Sequence, residues 1–193
     1  MTSQHRPLST YSRALIRNLY ELRRALSYRN AFTELLTIAP NVSAFPEPGA
    51  SIFTYSFFAL HDAMFLHVMN VLDLHTRVAS FFYLHKCNTK GIEDELVKNG
   101  LSLADINILA DKLKGVRDKA HFHIDKKAVF NPSEVWYDAD IEVDFFNHVT
   151  ETLEKVLHSM FVSEFNREID ASIYGAEDIK AIIGAVQSKG IRI

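Results

Sequence analysis

Between Thr10 and Ala39, the leucines Leu15, Leu19, Leu22 and Leu26 recur at three- and four-residue spacing, with arginines falling between them. That period lays the apolar side chains along one stripe of a helix and leaves the cations on its wet face. The same period returns in nearly every later segment, and only 7 Gly and 5 Pro interrupt the 193 residues. A chain so poor in turn formers predicts an all-α fold, an up-and-down bundle of four to five helices with short connections. The length fits one domain, 1–193, with a core over about 10–170 and a small C-terminal helix at about 176–187.

The first helix should stop at "APNVSAFPEPG", where prolines and a glycine cannot continue it. The next segment, about 51–85, predicts a long central helix, apolar on most faces. Asp62, Asp73 and Arg77 interrupt its hydrophobicity, so no membrane span is expected there. A polar stripe remains on it: Asn70, Asp73, Arg77 and Ser80. On one helix these share a face, and Asp73 can pair with Arg77 at i,i+4. The stripe is either the outward face of the central helix or the lining of a groove beside the chemistry.

Further on, "GIEDELVK" predicts a short helix stopped by Asn99-Gly100. Ser102 and Asp105 have the spacing of a capping box. Leu103, Ile106, Leu109 and Leu113 form the buried stripe of the next helix. "DKKAVFNPSEVWYDAD" reads as an extended loop around Pro132 that could hold a short strand. "DIEVDFFNHVTETLEKVLHSMFVSEF" predicts a long acidic amphipathic helix.

The formal net charge of −3 hides an uneven distribution. Residues 1–29 carry six arginines against Glu21, whereas residues 134–178 carry 12 acids against Lys155 and Arg167. One reading pairs the first helix with the last and cancels their charges. The other makes an electropositive surface for a polyanion, with Arg13, Arg17 and Arg24 as its RNA-binding candidates. Guanidinium suits phosphate because it binds two oxygens in a fork. The single cysteine, Cys87, has no intrachain partner, and the N-terminus lacks an apolar signal region. Both features point to a reducing, cytoplasmic setting.

The chemistry concentrates in "GVRDKAHFHIDKK", residues 115–127. His121 and His123 could grip a metal if they lay on a strand, where alternate side chains share a face. The preceding segment is helical, and on a helix the two histidines diverge by about 200°. No Cys lies near and no His-Glu-x-x-His is present, so neither metal nor other cofactor is expected. The chain also lacks a Gly-x-Ser-x-Gly elbow and a glycine-rich phosphate loop. A plain alternative is an ordinary helix end, whose cations complement the helix dipole.

Arg117, Asp118, Lys119, His123 and Asp125, read together in "RDKAHFHID", resemble the signature of the HEPN (higher eukaryotes and prokaryotes nucleotide-binding) domains. That signature is an Arg, four to six residues, then a His, with a polar residue often next to the Arg. The form here is most similar to the abortive-infection branch, which often reads Arg-Asn/Asp-Lys-x-x-Ala-His-x-Asp. Phe122 departs from it, as Ala is usual before the His, and His121 is an added histidine.

The resemblance implies a helical bundle that often dimerises, with two motifs facing a shared cleft. Many members are metal-independent ribonucleases of phage defence or toxin–antitoxin systems, some with a nucleotidyltransferase-like antitoxin as partner. Others bind RNA or nucleotide without cleaving it.

The residues suit such chemistry. RNA carries its own nucleophile, the 2′-OH, and needs a base that titrates near neutrality. A permanently charged Arg stabilises the phosphoryl oxygens. His123 is thus expected as general acid/base and Arg117 as phosphate stabiliser, with Asp118 orienting one of them. His121, Asp125, Lys119, Asp73 and Arg77 are further candidates for the site. One geometric tension remains. On an unbroken helix Arg117 lies about 40° from His121 and about 120° from His123. The family pattern therefore requires the helix to end or bulge near Phe122, or a second subunit to complete the site.

Overall fold

The computed structural model describes residues 8–38, 52–121, 132–169 and 172–188. Eight α-helices and one π-helical turn account for nearly all of them, and no strand occurs among the described residues. The helices are α1 (Thr10–Ile38), α2 (Ile52–Val71), α3 (Phe81–Cys87), α4 (Thr89–Lys98), α5 (Leu103–Val116), α6 (Pro132–Ala139), α7 (Val143–Phe165) and α8 (Glu177–Ser188). The π-turn, Arg117–His121, continues α5.

The four helices α1, α2, α5 and α7 form a ring in which each packs against the next and α7 returns to α1. The leucine stripe causes this: Leu15, Leu19, Leu22 and Leu26 of α1 are all buried. They share one core with Val68 of α2, Leu109 and Leu113 of α5, and Leu153 and Leu157 of α7. The all-α bundle expected from the period is the observed architecture, with four short helices added around it.

The charges on α1 divide by position. Arg23 Nε donates to Glu154 Oε1 at 2.7 Å, and each side chain is only 11% exposed. Arg29 Nη1 reaches Glu151 Oε1 at 2.6 Å. The first helix therefore does pair with the acidic one through these two arginines. Arg13, Arg17 and Arg24 remain exposed.

Three expectations need correction. The segment expected as one central helix over about 51–85 is two helices, α2 and α3, joined by residues 72–80. Within that connection the Asp73 carboxylate captures the His75 N–H at 2.8 Å, a local bond that competes with helical pairing. Asn18 of α1 donates its side-chain amide to the Ala79 carbonyl at 2.7 Å. Ser80 then takes extended φ/ψ as the N-cap of α3. Loop polar groups are thus satisfied without a helix, and apolar Leu72, Val78 and Phe81 still face inward to differing degrees.

The second correction stems from the first: Asn70, Asp73, Arg77 and Ser80 do not form one helical stripe, and the expected Asp73–Arg77 pair is replaced by another partner for Asp73. The third concerns the segment after the motif. Residues 132–139, read as extended, form α6 with Pro132 at its first turn, where a missing N–H costs nothing. The proline-rich break at 40–50 lies outside the described residues.

Other local expectations are met. Ser102 and Asp105 form a reciprocal capping box at α5. Gly100, at φ +73°, takes the left-handed position after α4, where a side chain would be strained.

Candidate functional site

The end of α5 is the origin of the site. The α-helical ladder runs as far as Arg117, whose N–H bonds back to the carbonyls of Leu113 and Lys114. From Arg117 to His121 the backbone widens into a π-turn. Such a turn inserts an extra residue into the ladder and shifts the register of the residues after it. The irregularity falls at the motif itself, one residue short of Phe122.

Arg117 projects toward the end of α2 and the connection after it. Its Nη1 meets Asp73 Oδ2 at 3.2 Å and its Nε meets Asp118 Oδ1 at 3.2 Å. Nη2 has no partner among the described residues. Partial burial of Arg117 acts against its charge. The hydrogen bonds it donates to Asp118 and Asp73 outweigh that effect and hold the guanidinium pKa above its ordinary value. Asp118 is held below the ordinary carboxylate range, first by the Lys114 ammonium at 3.0 Å and then, against some desolvation, by Arg117.

These groups line a groove of about 410 Å³. Its polar lining residues are Asn70, Asp73, His75, Arg117 and Asp118, and its apolar ones are Leu66, Met69 and Val78. Of the two readings of the polar stripe, Asn70 and Asp73 fit the groove-lining one. Arg77 is exposed beside the groove, and its N–H donates to the His75 ring at 3.2 Å. Lys119 is exposed on the π-turn. His123 and Asp125 lie outside the described residues, as does the side chain of His121.

The structure thus brings Arg117, Asp118 and Asp73 together. It leaves Arg13 and Arg17 on the open face of α1, while Arg24 stands 3.7 Å from Glu21.

Two features escaped the sequence reading. His75 lines the same groove as Arg117. Glu21 of α1 takes a 2.7 Å hydrogen bond from His67 of α2, and Asn70 also approaches that carboxylate. Burial raises the Glu21 pKa, but the hydrogen bonds from His67 and Asn70 and the charges nearby bring it below its ordinary value. The one available signal for His75 was the Asp-x-His spacing, which permits an Asp side chain to cap the amide two residues on.

No group of three or more potential metal ligands converges among the described residues. No helix among them is long and apolar enough to cross a membrane. No family model, curated protein or solved structure matches the chain.

Proposed function

We propose that this chain is a HEPN-type, metal-independent endoribonuclease. In this reading Arg117 stabilises charge on the phosphodiester and His123 is the general acid/base. The observation that supports it most is the setting of Arg117. It opens a π-turn, is anchored by Asp73 from another element, and keeps Nη2 unpartnered among the described residues in an open groove. A fixed guanidinium with Nη2 left over suits a phosphoryl oxygen, whose charge grows in the transition state.

The proposed reaction uses the substrate's own 2′-OH. His123 takes its proton, the 2′-oxygen attacks phosphorus, and the 5′-oxygen leaves with a proton. The product ends are a 2′,3′-cyclic phosphate and a 5′-hydroxyl. Asp118 and Asp73 fix the guanidinium, and His121, Lys119 and Asp125 are further candidates for the site. A homodimer would set two such motifs across one cleft. Phage defence or a toxin–antitoxin pair with a nucleotidyltransferase-like antitoxin is the biological context this reading proposes, in the cytoplasm.

A second reading is a noncatalytic helical module that binds RNA, nucleotide or a protein. It is favoured by one fact, that two carboxylates already occupy Arg117. Product chemistry separates the two. Incubated with single-stranded RNA and with DNA of the same sequence, the nuclease cuts only RNA and leaves cyclic phosphate ends. A binding module leaves both intact. Cleavage of the DNA would contradict the 2′-OH mechanism.

A further inference from the structure

We infer that His75 is the second donor of a phosphate subsite whose first donor is Arg117; this rests on the ribonuclease reading above. A single carboxylate ties the two residues together. Asp73 Oδ2 holds the Arg117 guanidinium at 3.2 Å, and Asp73 Oδ1 accepts the His75 N–H at 2.8 Å. The loop that carries His75 is therefore placed relative to the guanidinium by one side chain. Both residues line the same groove.

The imidazole is also fixed in its tautomer. The Arg77 N–H donates to His75 Nδ1 at 3.2 Å, so Nδ1 acts as acceptor. In the neutral ring the proton then sits on Nε2. His75 is exposed, so Nε2–H is a free donor rather than a buried structural one.

The charge balance explains why a directed donor is useful here. Among the residues that line the groove, Arg117 is positive and Asp73 and Asp118 are negative, while Lys114, 3.0 Å from Asp118, stands outside the lining. The groove offers a phosphate little net attraction. Its affinity has to come from directed donors, and Arg117 Nη2 with His75 Nε2–H supplies two. The same groove is also lined by apolar side chains, of which Leu66 is 45% exposed. An uncharged surface beside a phosphate donor pair fits the base or sugar of a nucleotide. The ligand class is thus a phosphodiester with an attached nucleoside, as in single-stranded RNA.

The test is the dissociation constant of the full-length protein for a fluorescently labelled single-stranded RNA. It compares wild type with His75→Ala, His75→Gln and Arg117→Ala, and a melting curve for each variant checks folding. A hydrogen bond to a charged group predicts about tenfold weaker binding for His75→Ala. His75→Gln keeps an N–H near the Nε2 position and should recover most of that loss. His75→Ala on top of Arg117→Ala should add less than tenfold, because both donors serve one phosphate.

Unchanged affinity in His75→Ala, with weakened binding in Arg117→Ala, overturns the His75 assignment and leaves the Arg117 site standing. Unchanged affinity in both variants overturns the subsite and the site reading together, as does a wild type that binds no RNA. His75 is exposed and outside the core, so a folded His75→Ala protein is expected.

Discussion

Asp73 and Arg117 meet at 3.2 Å across the joint between the end of α2 and the π-turn that continues α5. Each side chain is 21% exposed, so the pair is screened by water only in part. This contact links two bundle helices and places the guanidinium. Asp73→Asn keeps an acceptor for the His75 N–H and removes the charge. It should cost roughly 1 kcal/mol, which is about 2–4 °C in melting temperature for a chain of this size. A double-mutant cycle with Arg117→Ala should give a coupling of about 0.5–1 kcal/mol. A coupling near zero would show that the contact does not position Arg117.

The arginines of α1 should separate into two groups. Arg23 and Glu154 are mostly buried, so Arg23→Ala leaves an uncompensated carboxylate and should cost roughly 3 kcal/mol. Arg13, Arg17 and Arg24 are exposed, and replacing all three by Ala should barely change the melting curve. If they meet RNA, the triple variant binds it more weakly. The slope of log affinity against log salt should then fall by about 2, near 0.7 per lost contact with a single strand. An unchanged slope would assign the whole positive surface to packing and solubility.

The capping box gives a stability prediction with a defined pH window. The Ser102 hydroxyl and N–H both donate to the Asp105 carboxylate and hold its pKa below the ordinary value, against slight desolvation. A carboxylate depressed in the folded state stabilises above its unfolded pKa, about 4, and loses that contribution as pH falls through the folded value. Ser102→Ala should therefore cost about 1 kcal/mol at neutral pH. The gap to wild type should narrow below about pH 4. It should not close, because the Ser102 hydroxyl also accepts the Asp105 N–H at 3.2 Å. Thermal melts of both proteins across pH 3–7 check it, and a gap that widens in acid would contradict the account.

Core packing offers a plainer check. Phe81 and Leu19 are fully buried. Truncating either to Ala removes apolar contact and leaves a cavity, at about 3–5 kcal/mol each. Losses under 1 kcal/mol in denaturant melts would mean that the ring of helices is not packed as described.

The helices were legible where burial tracks the period. Leu15 to Leu26 and Ile106 to Leu113 all face the core the spacing assigned them, and Leu103 packs against it partly buried. The end of α2 was not legible, because apolar residues continue through Val71, Leu72, Leu74 and Val78 with no Gly or Pro among them. The helix ends on one local bond, from the His75 N–H to Asp73, and two tertiary contacts: Asn18 of α1 donates to the Ala79 carbonyl, and Asp73 meets Arg117. Helix α6 did carry a signal, Pro132 at a first turn, which also reads as a loop marker.

At the site, the sequence points to Arg117, Asp118 and Asp73, and i,i+4 spacing allows Asp73 to pair with Arg77. That pairing needs one continuous helix, which residues 72–80 do not form. A π-turn has no spacing rule in sequence, so the bulge demanded by the Arg–His pattern could only be stated as a requirement. The structure places a widened turn at Arg117–His121.

The most direct measurement is the RNA cleavage rate in excess EDTA, wild type against Arg117→Ala, His121→Ala and His123→Ala. Wild type should cleave undiminished in EDTA. Arg117→Ala should lose about 10²–10³-fold and His123→Ala about 10²–10⁴-fold, while His121→Ala retains most of the rate. Cleavage that survives both Arg117→Ala and His123→Ala, or that disappears in EDTA, would contradict the proposed mechanism.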